Sequence, residues 1–367
     1  MVIEEAAKAG GCIHTVRTPE GFWLELGAHT LYNSYGSLLE VVAALGLGEH
    51  ILRRQKAPYR LLRDGKLRSV PSQLALGELF TSAWRIFSER KDGRTVGDYY
   101  GRLVGKRNWR RVFAPLLSAV PSQRADDFPA EMLFKQRPRR KDLPRSFTLE
   151  GGLATLIERL VRDDGITVQM NRGARAITRT ERGFLVDTSD GASVETRNLV
   201  FAVPPDAAAR LLLPIAPSTA AALARIRTAA IESTGVVMAK RDLSIPRLAG
   251  LVPVDDIFFS AVSRDVVPDD RFRALAFHFR AGLSRDERLD RIAAVTKTTR
   301  ANFVHIAENA TSLPSPGLGH ADIVRAIDKS IAGSRIFITG NYFGGLAIED
   351  CVLRSVAESQ RLVSECR

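Results

Sequence analysis

No run of about eighteen apolar residues occurs in the 367 positions of this chain, which excludes a hydrophobic membrane-spanning helix. No basic leader with an apolar stretch opens it, so no signal peptide is expected. Cys12, Cys351 and Cys366 are its three cysteines. An odd count without metal-type spacing argues against a disulfide framework and points to a reduced, cytoplasmic setting. His14, His29, His50, His278, His305 and His320 show no metal-ligand spacing. Neither a Gly-x-Ser-x-Gly elbow nor a Cys/His signature is present. Repeats and low-complexity tracts are missing. Acidic residues are in deficit, with 53 Lys and Arg against 41 Asp and Glu, a formal charge of +12. That excess favours an anionic partner, either an acidic small molecule or the anionic inner face of a membrane. Nucleic acid is not expected, because no recognised motif surrounds the basic clusters. Those clusters are Lys106, Arg107, Arg110 and Arg111, then Lys135, Arg137, Arg139, Arg140, Lys141 and Arg145.

A hydrophobic fraction of 45% and a charged fraction of 26% suit a folded globular chain. Its length allows two domains or one elaborated domain. Val2–Ile3–Glu4 reads as a strand ending in an acid. In a dinucleotide-binding βαβ unit that acid accepts hydrogen bonds from the adenosine ribose hydroxyls. Glu5 then points to the opposite face. Gly10-Gly11 follows, a pair that lets backbone pass close to a bulky ligand. The strand and Gly-rich turn that precede such an acid by about twenty residues are not among these residues. The sequence therefore predicts that these 367 residues bind such a cofactor weakly or not at all, and that a form carrying that strand and turn binds it stably.

Near the other end, Arg335–Ile338 is a short apolar strand that runs into Thr339-Gly340-Asn341-Tyr342-Phe343-Gly344-Gly345-Leu346-Ala347-Ile348-Glu349-Asp350-Cys351. A strand, a glycine turn and a helix start direct free N–H groups and the positive helix end at an anion or an electron-rich ring. Val352, Val356 and Val363 recur near helical spacing and predict the buried face of that last helix. Glu349 and Asp350 fall in its first turn, where negative charge suits the dipole. On this reading they need not touch the bound ring, and Glu349→Gln has little effect on its retention.

Together these motifs resemble the family of protoporphyrinogen oxidases, flavin amine oxidases and phytoene or carotenoid desaturases, FAD-dependent oxidoreductases. Its pattern of strand, Glu, five residues, Gly-Gly and a Thr in a short strand is met by Glu4, Gly10, Gly11 and Thr15. Gly21–His29 resembles the following strand and turn, and the C-terminal segment resembles the last flavin motif of the protoporphyrinogen oxidase branch. The resemblance implies FAD held by Glu4, Lys8, Gly10, Gly11, Cys12, Gly27, Ala28, His29, Thr30, Ala174, Gly340, Asn341, Gly345, Leu346, Ala347 and Ile348. It implies no metal, and the catalytic side chain stays unassigned. His29 is the best-placed polar group, although a structural histidine bonded to backbone is the stronger reading. Tyr342 and Phe343 face either substrate or core.

The fold expected is α/β with mixed α+β character. A discontinuous Rossmann-like FAD-binding domain takes residues 1–37, 146–205 and 331–367, without its first strand. A substrate domain takes 38–69 and 206–330, and a helical insertion takes 70–145. In the family that insertion covers the substrate cavity and, in protoporphyrinogen oxidases, contributes to membrane attachment; here it is short. Strands are expected at Ile166–Met170, Ala176–Thr180, Phe184–Thr188 and Asn198–Val203, with a turn at Gly191 between the last two. Phe272–Phe279 should alternate, with Phe277 and Phe279 opposite Ala276 and His278. Ser284 and Glu287 form a capping box. The activity implied is hydride removal from an apolar or conjugated small molecule, with carboxylates suited to the arginine excess, and oxygen or another acceptor taking the electrons. An amine oxidase, a carotenoid-type desaturase, and a non-catalytic degenerate relative acting as a binding subunit are the alternatives.

Overall fold

The computed structural model describes residues 1–365, so Cys366 lies outside the described residues. Its largest element is a seven-stranded mixed sheet. The strand order is Phe303–Pro314, Thr228–Ala239, Phe272–Arg280, Phe258–Ser263, Gly250–Pro253, Tyr59–Arg63 and Lys66–Ser69. Period-two alternation fixes its faces. Leu275, Phe277 and Phe279 pack beneath Leu289, Ile292 and Val295 of the helix Arg285–Thr296. Ala274 and Ala276 face Leu24 and Leu26 on the other side. The expected capping box starts that helix: Ser284 Oγ accepts from Glu287 N, and the Glu287 carboxylate accepts from Ser284 N.

Beside this sheet lies a layer of short parallel pairs. Val2–Ile3 pairs with Val168–Gln169, and Leu199–Phe201 pairs with Ile336–Ile338. Ile3 packs on the core of Phe201, Ile336, Ile338 and Tyr342, which joins the two pairs. A three-stranded antiparallel sheet follows the first pair. It holds one strand not foreseen, Ser193–Thr196, after the Gly191 turn. The α/β class with mixed α+β character is as expected.

Segment 70–145 is largely helical, as its irregular helical spacing predicts, with helices including Leu76–Ala83, Val96–Val104 and Ala114–Ala119. Its first apolar stripe faces outward: Phe80 and Phe87 are 89% and 93% exposed. The last helix, Ile348–Glu365, also departs from its pattern. Val352 packs inward, but Val356 and Val363 are exposed. The buried positions are Glu349, Asp350 and Glu358. Their carboxylates are answered there by backbone N–H groups and arginines, so charge occupies a face that apolar periodicity assigns to valine.

Candidate functional site

Two clusters of the expected residues form, joined by the turn at residues 10–12. At the first, Glu4 leaves its strand with its N–H donating to Gln169 O at 2.9 Å and its O accepting from Arg172 N at 2.8 Å. Its carboxylate accepts from Ala6 N at 2.9 Å. Glu5 lies instead over Gly173, where a Cβ would meet its side chain at 3.1 Å. Ala174 follows at the start of the strand Ala174–Thr180, beside that contact. Lys8 is exposed on the connecting turn. Gly10 holds a φ of +135°, and a Cβ there would stand 2.7 Å from Ile13 O. Only glycine takes that turn without displacing backbone.

The second cluster brings the chain ends together. Cys12 O accepts from Ala28 N at 3.0 Å, and His14 O accepts from Leu26 N at 2.8 Å. A Cβ on Gly27 would stand 2.1 Å from Cys12 O, so these segments touch through bare backbone. Asn341, 329 positions away, donates Nδ2 to Cys12 Sγ at 3.5 Å. Ala28, Ala347 and Ile348 pack on one apolar cluster. Gly340 bends over the Tyr342 ring. Leu346 departs from expectation: it packs on the insertion core of Val96, Leu117 and Phe128, and the last helix starts only at Ile348. Gly345 backs onto Asp350, whose carboxylate meets Lys135 at 3.1 Å and Arg137 at 2.7 Å. Part of the second basic cluster is thus internal counter-charge. Tyr342 and Phe343 are core residues, 1% and 6% exposed.

These turns fit the two ends of an extended dinucleotide-type cofactor. The acid at a strand end would meet one end, and glycine turns that carry no side chain of their own would meet the other. Among the described residues no three His, Cys, Asp or Glu side chains converge to hold a metal.

Titratable groups gather between the second cluster and the large sheet. His29 Nδ1 donates to Gly27 O at 3.3 Å, and burial pushes its pKa down to about 3. A neutral ring donating from Nδ1 keeps Nε2 as an acceptor. Thr30 Oγ1 accepts from Arg54. His278, pushed down to about 4 by burial, meets Ser233 Oγ at 2.9 Å. Glu25 accepts from Leu153 N and from Thr15 Oγ1, both at 2.7 Å. Arg54, Thr148 and Arg264 complete the group. Sequence reading gave a site role to none of Glu25, Arg54, Thr148, Arg264 and His278. They sit on separate strands and loops, and only sheet pairing assembles them.

Glu25 yields a pH prediction. Burial raises its pKa from the ordinary 4.5 to about 7. Between those values the fold keeps a proton that the unfolded chain releases. The stability this contributes is complete below 4.5 and is lost as pH rises through about 7. A shift of that size corresponds to roughly 3 kcal/mol. His29 and His278 act in the opposite sense, losing stability as pH falls below their ordinary 6.5. Comparing the protein with Glu25→Gln cancels the histidines. Urea unfolding at about pH 5 and about pH 8 should show the wild type losing roughly 3 kcal/mol relative to the variant. Parallel losses would mean that Glu25 is ionised in the fold throughout.

Comparison with known proteins bears on the fold and the family. The sequence model of the family described as flavin containing amine oxidoreductase matches residues 1–240. Protoporphyrinogen oxidase 1, chloroplastic, of Arabidopsis thaliana is 24% identical, over 96% of this chain and 80% of its own length. Coproporphyrinogen III oxidase of Mycobacterium leprae (strain TN) is 26% identical over 225 residues, covering 56% of this chain and 48% of that protein. The crystal structure of a provisionally assigned protoporphyrinogen oxidase from Exiguobacterium sp. 255-15 superposes with a TM-score of 0.80 at 18% identity, covering 99% of this chain and 92% of its own. Cyclohexylamine oxidase from Brevibacterium oxydans IH-35A gives 0.70 at 14% identity, over 100% and 93%. The structures share the fold, and the family match spans well over half of the sequence: the chain belongs to the flavin-containing amine oxidoreductases.

Proposed function

We propose that this protein oxidises a porphyrinogen-class small molecule by passing hydride from a substrate C–H to FAD. The observation that carries the reading is the meeting of Cys12, Gly27–Ala28 and Asn341 at one point facing the large sheet. FAD, when bound, supplies the hydride acceptor. The chain's own residues hold and orient. Glu4 takes the ribose hydroxyls and Gly10–Cys12 passes along the cofactor. Gly27–His29 with Gly340–Asn341 and Ala347–Ile348 frames the ring. His29 Nε2 accepts a hydrogen bond without taking a proton, since burial makes it a weak base. The proposed division into FAD-binding (1–37, 146–205, 331–367), substrate (38–69, 206–330) and insertion (70–145) segments places the ring end at their junction. The Tyr342–Phe343 pair lies in the core and forms no aromatic cage, which favours a porphyrinogen over an amine. Glu4 supplies the test. Glu4→Ala should weaken added FAD by roughly 1.5–3 kcal/mol, the range for bonds to a charged acceptor, with Glu5→Ala nearly silent. Equal losses in a flavin titration would remove the assignment.

The finer partner is an anionic membrane surface. Leu76, Phe80, Trp84 and Phe87 follow one another at helical spacing, each more than 60% exposed. Lys106 and Arg107 adjoin them, because Glu78 of the same helix accepts from Arg107 N at 3.0 Å. An apolar stripe rimmed by cations suits the headgroup boundary. Phe80→Ser with Phe87→Ser should reduce co-sedimentation with anionic vesicles by roughly tenfold or more. Failure of the unmodified protein to sediment with any anionic composition would end this reading.

A further inference from the structure

A cavity of about 30 Å³ lies between Trp23, Glu25, His29, Arg54, Thr148 and Arg264, where the small strands meet the seven-stranded sheet. That space holds two waters or one carboxylate head, since a water needs about 10–15 Å³. Three of its polar atoms are buried without a partner: Thr148 Oγ1, Arg264 Nε and Arg264 Nη1. Thr148 is 2% exposed. The Arg264 guanidinium is stacked 3.8 Å over the Trp23 ring, which fixes its plane. Arg54 brings a second cation and is anchored on Thr30. Glu25, the lining carboxylate, makes its hydrogen bonds to Leu153 N and Thr15 Oγ1 and none to these donors. Asp269 and Glu25 lie close enough to act on the Arg264 charge, but neither accepts a hydrogen bond from its buried Nε and Nη1, and leaving such donors unanswered is costly.

We infer that this cavity is a carboxylate-binding site, with Arg264 as the principal donor and Thr148 and Arg54 beside it. The site needs no flavin, so it stands or falls separately from the oxidase reading. Its ligand is either a free small carboxylate or the carboxylate arm of a larger molecule. Burial holds the Arg264 pKa at about 10, below its ordinary value but still well above neutrality, so the charge persists.

Trp23 reports on the site. In a Trp84→Phe, Trp109→Phe background, sodium acetate titrated against sodium chloride at constant ionic strength should change the fluorescence of the remaining tryptophan saturably. Arg264→Gln should weaken acetate roughly tenfold or more, and Thr148→Val about threefold. Arg241→Gln, at an exposed arginine elsewhere, should change nothing. Octanoate distinguishes the sources: response to acetate alone marks a closed site for a free carboxylate, and response to both marks one open to a longer arm. The acetate-dependent rise in thermal midpoint of the unmodified chain gives a second reading if the background folds poorly. No response beyond chloride by either method, or an Arg264→Gln protein that responds like its parent, overturns the site. Flavin absorbance on the same samples tests the oxidase reading independently.

Discussion

Gly345→Val should abolish the response to added FAD and lower stability by several kcal/mol. Gly345 holds a φ of +154°, and a Cβ there would stand 2.5 Å from Asp350 Oδ2 and 3.0 Å from its Cγ. Any side chain is strained at that backbone angle. It also displaces a carboxylate that is 7% exposed, accepts from Ala347 N at 3.3 Å and neutralises Lys135 and Arg137. The turn beside the proposed flavin ring therefore rests on a buried ion pair. Gly344→Ala is the control, because a Cβ there has nothing nearer than 3.8 Å. Flavin titration and circular dichroism on the same samples decide the matter. A Val variant that takes up FAD normally would make this turn a helix start and nothing more.

Glu349→Leu should cost about 3 kcal/mol or more, from two buried donors left without acceptors. The helix Gly36–Ala44 has no cap of its own: Tyr35 at its N-cap makes no side-chain bond. Glu349, 3% exposed, supplies the cap from the far end of the chain. Its carboxylate accepts from Ser37 N and Leu38 N, each at 3.0 Å. Glu349→Gln keeps one acceptor oxygen and replaces the other with a donor facing an N–H, so about half the loss is expected. The sequence reading expects this substitution to do little to flavin retention; the long-range cap adds a stability cost that reading did not foresee. Urea midpoints of the three proteins check it, and a Leu variant as stable as its parent would show that the cap contributes nothing.

What could be read before folding was local. Strand ends, glycine turns and the Ser284–Glu287 box are written in adjacent residues and are found where expected. The alternation of Phe277 and Phe279 against Ala276 was legible because a strand has period two. Glu349 and Asp350 were legible as first-turn acids but not as interior ones, since their partners lie at Ser37, Leu38, Lys135 and Arg137. Apolar periodicity gave the last helix a valine face where the fold uses ion pairs. It also gave the stripe from Leu76 to Phe87 no direction, because spacing reveals an apolar face and not what covers it. The cavity around Arg264 left no trace in sequence: its lining comes from six separated stretches joined by strand register.

The central claim is that this chain uses flavin to oxidise a porphyrinogen. The most direct measurement mixes the protein, saturated with added FAD, with a porphyrinogen under anaerobic conditions and follows flavin absorbance and porphyrin fluorescence together. Loss of the oxidised flavin band, in step with the appearance of oxidised porphyrin, is the predicted result. With a perturbed FAD spectrum marking the bound form, bound flavin that stays oxidised beside porphyrinogen would contradict it.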